Sequence, residues 1–472
     1  GSVPNFNQPI SQSTVTVGTG DNEKTYEAWN VKAVNNFSYA FHNIAYNSRT
    51  SSFNQDISGW DMSGATNLSQ MFWRNTTFTG SVSTWNISNV TNIGSMFRGA
   101  NAWMNKQYSL SSSYQNHPTR GEYIAWDTNN VTNMFGVFQN EISAYASIGS
   151  VASPGYDGDI TNWNTSKVTD MRSMFNGTSA ITSSFNQDIS TKEVTIGAGR
   201  SIETTYNAWD VSSVNRWGPN NTNSETYPPG REGTFYNNKS FNQDISNWQI
   251  ATGSGDVWMQ GMFRGASAFD QPLNTNTVEV GSKIYEAWNT KKVITLRNTF
   301  YGATNFNQPL NDWNTNAVTT YFYTFYSANK FNQPLNKWET TPSTNMNGMF
   351  QNTNMTYDLS SSYQPATSGR SEYIAWDTSN VTNMFKMFHN GVNTTSPYQG
   401  YNGNIYNWNT SNVANIGGMF SGTGTQTSSF NQNINTKEVT IGAETSIGTT
   451  YNAWDVSSVT FFGRDLTNTG FS

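Results

Sequence analysis

Apolar and polar positions recur along this chain in a unit of about 25 residues. One uninterrupted copy, FNQPLNDWNTNAVTTYFYTFYSANKF, runs from Phe306 to Phe331. In this unit the Trp follows the first Phe by seven residues, and a Val and a second Phe follow the Trp by five and twelve. A fixed period of this length is typical of coils that stack, because one coil cannot bury its apolar side alone.

Each unit predicts a short strand followed by a helical turn. Around Trp85 apolar residues alternate with polar ones, as at Ile87, which favours a half-buried strand. Ser88 is then followed by Val90 and further apolar residues at spacings of three, ending at Phe97. Such spacing after a Ser predicts a capped α or 3₁₀ turn with one buried side.

A Trp marks thirteen coils and occupies the same phase in each. An aromatic residue at a fixed phase is more simply explained by a buried core column than by a sugar-binding platform. We therefore predict a structural Trp column made of Trp29, Trp60, Trp85, Trp126, Trp163, Trp209, Trp248, Trp288, Trp313, Trp338, Trp376, Trp408 and Trp454.

The links between the repeat Phe and the Trp are lengthened in six coils. In FNQDISTKEVTIGAGRSIETTYNAW, from Phe185 to Trp209, two β-prone runs flank a Gly-rich turn, which predicts a protruding β-hairpin. The order of long and short links repeats after seven coils. We predict one solenoid over residues 1–472, with internal cassettes at 3–265 (coils 1–7) and 266–472 (coils 8–13, the second copy incomplete).

The strings WDTNNVTNMFGVF, from Trp126 to Phe138, and WDTSNVTNMFKMF, from Trp376 to Phe388, resemble the BspA-type bacterial surface repeat. More narrowly, the chain resembles the FNQ-bearing branch found in mycoplasma and Firmicute surface lipoproteins, which is similar to leucine-rich repeats. The resemblance covers nearly the whole chain. It implies an extracellular or cell-surface location.

The predicted fold is thus a leucine-rich-repeat-like solenoid of about 13 coils. We expect one parallel β-sheet with one strand per coil, short α or 3₁₀ turns on the opposite side, and β-hairpin insertions along one edge.

Composition and charge exclude several functions. The net charge of −6 provides no basic stripe for a phosphate backbone, so nucleic-acid binding is not expected. The absence of Cys excludes disulfides and thiol chemistry. No apolar run is long enough to span a membrane, and no apolar signal segment is present. Because Gly1-Ser2 has the form of a cloning scar, we expect any native signal or anchor to lie outside this sequence.

The residue after the Trp is usually Asp or Asn, and it should lie on the opposite face of the strand. We call this row the Asp/Asn stripe and interpret it either as a solvated face or as a surface that binds glycan, protein or Ca²⁺. Its members are Asn30, Asp61, Asn86, Asp127, Asn164, Asp210, Asn289, Asn314, Glu339, Asp377, Asn409 and Asp455. We expect no cofactor and no metal site; Ca²⁺ remains open, although Asp157-Gly-Asp159 and Asp21-Asn22-Glu23 are too short for a calcium motif.

No pattern of catalytic residues is present, so we expect no enzyme activity. The three His, His42, His117 and His389, have no acid–base partner nearby in sequence, and no phosphate loop or nucleophile elbow occurs.

Two functions remain. The first is a non-enzymatic surface repeat protein, an adhesin or interaction module that contacts a host or neighbouring-cell protein or glycan. The second is a structural spacer or filament subunit that self-associates through its coil ends, where sheet edges are exposed.

Overall fold

The computed structural model describes residues 7–43, 52–141, 153–178, 181–219, 233–250, 252–253, 255–367, 369–391, 400–422 and 428–462. The chain separates into two compact units. The first unit comprises Gly1–Arg216, Thr234–Gly253 and Val278–Tyr285, and the second comprises Trp217–Gly233, Ser254–Thr277 and Glu286–Ser472. The single solenoid with two cassettes therefore remains a prediction.

Strand structure is concentrated in hairpins, one in each of the six long links. The hairpins pair β1 (Ser13–Val17) with β2 (Lys24–Ala28), β3 (Ser113–His117) with β4 (Gly121–Ala125), β5 (Lys192–Ile196) with β6 (Thr204–Ala208), β8 (Asn276–Val280) with β9 (Lys283–Ala287), β11 (Ser362–Gln364) with β12 (Tyr373–Ala375), and β13 (Lys437–Ile441) with β14 (Thr449–Ala453). The remaining pair is β7 (Val257–Trp258) and β10 (Val293–Thr295), and a helix, α1, covers Asn101–Met104.

The expected leucine-rich-repeat-like solenoid with one parallel sheet is wrong. Among the described residues the only parallel strand pair is β7 with β10. Elsewhere neighbouring coils are joined by one-residue parallel bridges, such as Asn67 with Asn92 and Asn345 with Asn383, seven residues after each Trp. Coil-to-coil hydrogen bonds do continue on both sides of Asn67, for example from Gln70 N to Gly94 O at 2.9 Å. They do not build a sheet, because the chain there is not extended.

The prediction of one helical turn in each coil is also wrong. Backbone bonds from Val90 N to Ile87 O, at 2.8 Å, and from Met96 N to Ile93 O, at 3.1 Å, close separate turns. Between them Ser95 has a φ of 55°, and the tenth residue after the Trp repeats this left-handed backbone at Gln70 and Tyr323. A left-handed residue ends any right-handed helix. Spacings of three therefore come from successive turns, and α1 is the only α-helix in the part of the chain that is described.

Every hairpin ends at Ala followed by the Trp of the column, and that Trp has positive φ. The values are 52°, 50°, 53°, 47°, 52° and 53° at Trp29, Trp126, Trp209, Trp288, Trp376 and Trp454. In the short-link coils no column Trp has this conformation. The left-handed residue turns the chain out of the second strand and into the coil, so hairpin and coil share one Trp.

The core consists of aromatic columns within each unit. Trp163 and Trp313 are fully buried, and each donates its Nε1–H to the carbonyl of the preceding coil, at 2.7 Å in both cases. The repeat Phe stacks in the same way: the Phe72 and Phe97 ring centroids are 5.6 Å apart with planes 3° apart. The exception is Trp29, which is 52 % exposed, whereas the other column members are at most 3 % exposed.

Candidate functional site

The Asp/Asn stripe has a structural role in almost every coil. In eleven of its twelve members Oδ1 accepts a hydrogen bond from the backbone N–H two residues later, as from Ser88 to Asn86 at 3.1 Å. This Asx turn explains why Asp and Asn alternate there, since both offer the same acceptor. Glu339 is the exception. Only Asn30 is exposed, and Asp61 is 5 % exposed, so the stripe is not a uniformly solvated face. Its binding role remains a prediction.

Hairpins fold back over the preceding coils and cover part of the stripe. Tyr451 in β14 donates its hydroxyl to Asn407 O at 2.5 Å, and Tyr373 in β12 donates to Lys337 O at 2.7 Å. Each of these carbonyls lies immediately before a column Trp. In the second unit Arg370 also forms an ion pair with stripe residue Glu339 at 3.1 Å.

In the first unit Lys283 forms the corresponding contact with stripe residue Asp210, at 3.0 Å. Burial raises the pKa of Asp210, but hydrogen bonds from Ser212 and the Lys283 ammonium outweigh burial and hold the pKa below its ordinary value. Hairpin cations thus neutralise part of the stripe in both units.

A cavity of about 290 Å³ lies in the second unit where two hairpins meet the stripe; we call it the hairpin pocket. Three stripe members line it, together with side chains of the β11–β12 and β13–β14 hairpins. Its lining residues are Glu339, Thr341, Glu372, Tyr373, Ile374, Asp377, Ser379, Asn409, Ile447, Thr449 and Tyr451. Three carboxylates beside two tyrosines and two isoleucines make it acidic and amphipathic.

Glu372 joins the two hairpins at the hairpin pocket. It accepts hydrogen bonds from Ser446 of one hairpin and from Tyr363 of the other, the latter at 2.7 Å. These hydroxyls, Ser446 first, hold the pKa of Glu372 below its ordinary value, which keeps the carboxylate ionised. In the first unit Glu122 accepts the equivalent bonds from Tyr114 at 2.7 Å and from Ser201 at 2.9 Å. The arrangement is therefore a repeated property of the hairpin pair.

Amide side chains on another surface connect consecutive coils. Asn307 Oδ1 accepts the backbone N–H of Asn332 at 2.8 Å, and Gln333 Nε2 donates to Asn307 O at 2.9 Å. The same geometry recurs between Asn402 and Gln432. A cavity of about 560 Å³, the amide groove, lies on this surface in the second unit and is lined by Asp358, Asn402, Asn404, Tyr406, Gln432, Asn433 and Lys437.

The remaining candidate residues are dispersed. Asp157 accepts bonds from the next coil, and Asp159 accepts from Thr161. His42 Nδ1 lies 2.5 Å from Tyr39 O, His117 contacts Thr119 and Arg120, and His389 Nδ1 lies 2.7 Å from Ser421 Oγ. No group of three or more His, Asp or Glu is arranged to hold a metal among the described residues. Within the described ranges no helix has the length and hydropathy needed to cross a bilayer.

These features define a tandem-repeat protein whose coils are held by aromatic columns and carry β-hairpins. The chain belongs to the family described as Mycoplasma protein of unknown function, DUF285, whose model matches residues 4–112, 109–285, 274–367 and 356–445. Four successive matches agree with tandem repetition, but the leucine-rich assignment is overturned by the hairpin sheets, and nothing in the match identifies an adhesin. No curated protein and no solved structure is significantly similar to the chain.

Proposed function

We propose that this chain is a non-enzymatic repeat protein of the bacterial surface that binds a protein or glycan of the host or of a neighbouring cell. The mycoplasma repeat family and the BspA-type resemblance support the surface location. The observation that carries the binding role is the hairpin pocket, because it brings two inserted hairpins and three stripe residues together at one cavity. Inserted loops on a repeat framework are where binding residues concentrate.

The chemistry of the hairpin pocket favours a cationic group of a partner protein. Glu339, Glu372 and Asp377 supply three carboxylates, of which Glu339 is paired with Arg370. Tyr451 offers aromatic surface beside them, whereas the Tyr373 ring already has the Arg370 guanidinium 3.5 Å from its centroid. A Lys or Arg side chain combines a positive head with an apolar stem, so it is complementary to such a lining.

We expect Asp377→Asn to weaken binding of a lysine-rich peptide by about fivefold, equivalent to about 1 kcal/mol for one partly screened charge. The substitution keeps the turn, because Asn409 accepts the same backbone bond from Ser411 that Asp377 accepts from Ser379. The measurement is titration of a fluorescent octalysine peptide at two salt concentrations.

Asp61→Asn is the matched control. Asp61 occupies the same repeat position and accepts from Ser63 N at 3.1 Å, but it does not line the hairpin pocket. Both variants lose one negative charge, so a difference between them reports the pocket alone. Equal affinity of the two variants, or no binding by the unmodified chain, contradicts the proposal.

Exposed apolar residues in the first coil favour self-association as a second function. Trp29 and Tyr26 are 52 % and 53 % exposed, whereas the equivalent Trp454 is 2 % exposed. Every other hairpin holds its equivalent Tyr against a preceding coil, as Tyr123 does at Thr84 O. We therefore propose that two copies associate through the exposed apolar surface of Tyr26 and Trp29.

For this second function we expect the mass measured by sedimentation to rise with protein concentration. The double change Tyr26→Ser and Trp29→Ser should hold the chain at monomer mass, because it removes the exposed apolar surface. A chain that stays monomeric at every concentration without these changes rules the association out.

A further inference from the structure

The amide groove differs from its counterpart in the first unit in a way that folding does not explain. The segment GNIYNWNTS from Gly403 corresponds to GDITNWNTS from Gly158, and FNQNINTKEVTIGA from Phe430 corresponds to FNQDISTKEVTIGA from Phe185. At three groove positions Asp157, Asp159 and Asp188 are replaced by Asn402, Asn404 and Asn433. The flanking sequence is otherwise nearly the same.

The backbone bonds at these positions do not distinguish Asp from Asn. Asp157 Oδ1 accepts from Asn186 N at 2.7 Å, and Asn402 Oδ1 accepts from Asn431 N at 2.8 Å. Asn404 and Asn433 likewise accept backbone N–H groups through Oδ1, at 3.1 and 3.2 Å. The Nδ2 groups of these three residues take no part in those bonds. The groove therefore carries amide donors where the first unit carries carboxylates.

Tyr406 is a second difference at the same place. It lies two residues before its column Trp, where the other coils with short links carry Ser, Thr or Asn, as at Ser58, Ser83 and Thr161. The coil does not require an aromatic residue there, and Tyr406 is 36 % exposed. An exposed aromatic residue that packing does not demand indicates a contact surface.

The lysine of the groove, Lys437, has a different partner from its counterpart in the first unit, Lys192. In the first unit Lys192 Nζ forms an ion pair with Asp188 at 3.2 Å. In the second unit Asn433 stands at that position, and Lys437 Nζ lies 4.1 Å from the centroid of the Tyr406 ring. Asp358 supplies one carboxylate to the groove, which balances the charge of Lys437.

We propose that the amide groove binds a neutral oligosaccharide built from hexose or N-acetylhexosamine units. Sugar hydroxyls both donate and accept hydrogen bonds, as amides do, and the apolar face of a pyranose ring packs against an exposed aromatic ring. The volume of about 560 Å³ falls within the roughly 300–1,000 Å³ usual for small-ligand sites. The inference rests on the proposed surface-binding role and gives the ligand class at a surface separate from the hairpin pocket.

The test is a glycan array of neutral and acidic oligosaccharides, probed with the full chain and followed by calorimetry on the tightest neutral glycan. Tyr406→Thr, which restores the residue of the first unit, should weaken that binding about tenfold, because the sugar loses the aromatic face that it packs against. Replacing Asn402, Asn404 and Asn433 together by Asp should abolish it. The matched control is Tyr39→Ser, at a tyrosine that is 44 % exposed and outside the groove; Ser95 has the same left-handed backbone at the same repeat position.

Two outcomes overturn the inference: binding only to acidic glycans or to none, and unchanged affinity in Tyr406→Thr with circular dichroism identical to the unmodified chain. Asp377→Asn separates this site from the hairpin pocket. This variant should keep its affinity for the glycan but bind the octalysine peptide more weakly. The two measurements therefore show separately whether each proposed site binds its ligand.

Discussion

Replacing Trp313 by Ala is expected to lower the free energy of unfolding by about 3–5 kcal/mol, the range for truncating a fully buried large aromatic residue. The ring has no exposed surface and lies between Trp288 and Trp338, with centroids 6.0 and 6.4 Å away. Its Nε1–H donates to Leu273 O at 2.7 Å, so the change also deprives a buried carbonyl of this donor. Because a coil is stabilised by its neighbours, the loss should weaken both adjoining coil contacts.

Urea unfolding followed by circular dichroism measures this effect, and the chain provides its own control. Trp29→Ala removes the same side chain at the same repeat position, but Trp29 is 52 % exposed, so the loss should stay within about 0.5 kcal/mol. The loss of unfolding free energy in Trp313→Phe should lie between those of Trp313→Ala and Trp29→Ala, because Phe keeps most of the apolar contact but lacks the Nε1–H donor. If Trp313→Ala and Trp29→Ala destabilise the chain equally, the Trp column is not the main source of stability.

Replacing Asn75 by Ala is expected to lower the free energy of unfolding by about 2–4 kcal/mol, because buried backbone groups lose their hydrogen-bond partners. Asn75 is fully buried. Its Oδ1 accepts from Thr77 N and Phe78 N at 3.1 and 3.0 Å, and its Nδ2 donates to Phe41 O at 3.1 Å. One side chain thus closes the turn that leads into the next coil and attaches it to the coil before.

Asn30→Ala is the control for this prediction. Asn30 also accepts one backbone bond, from Lys32 N at 3.0 Å, but it is exposed, so water can replace the amide. We expect a loss of at most about 1 kcal/mol. Thermal unfolding of both variants checks the difference, and a loss of similar size in each would show that burial does not set the contribution of these turn amides.

The positions of hairpins were predictable because strand and turn propensities act within a few residues. Val194 and Tyr206 pair across the β5–β6 hairpin, where the link Phe185 to Trp209 predicted one. The helical turn was not predictable in the same way. The same spacing of three suits a helix or successive turns. The left-handed residue between the turns is Gly in three coils, at Gly136, Gly348 and Gly418, but Ser95 or Tyr323 in others, so residue order marks it only in part.

The candidate surfaces were predicted only in part. The stripe suggested an acidic contact face. The exchange of Asp and Asn there instead reflects Asx turns, in which the side-chain oxygen of residue i accepts the backbone N–H of residue i+2. Glu339 and Asp377 reach the hairpin pocket because hairpins fold back onto earlier coils. Tyr406 was detectable in principle, since aligning the two cassettes shows it where Thr161 stands.

By itself the sequence determined the repeat, its thirteen Trp markers and the six inserted hairpins, because periodic burial and local turn chemistry leave a direct trace in residue order. Only the tertiary structure decided how the coils pair, which Asp and Asn side chains are used by the backbone, and where cavities form. Those properties depend on left-handed backbone conformations and on contacts between residues far apart in sequence, such as Trp163 with Leu110, 53 positions apart, and Gln333 with Asn307, 26 positions apart. Residue order marks them only in part, since Gly occupies the left-handed position in some coils and Ser or Tyr occupies it in others.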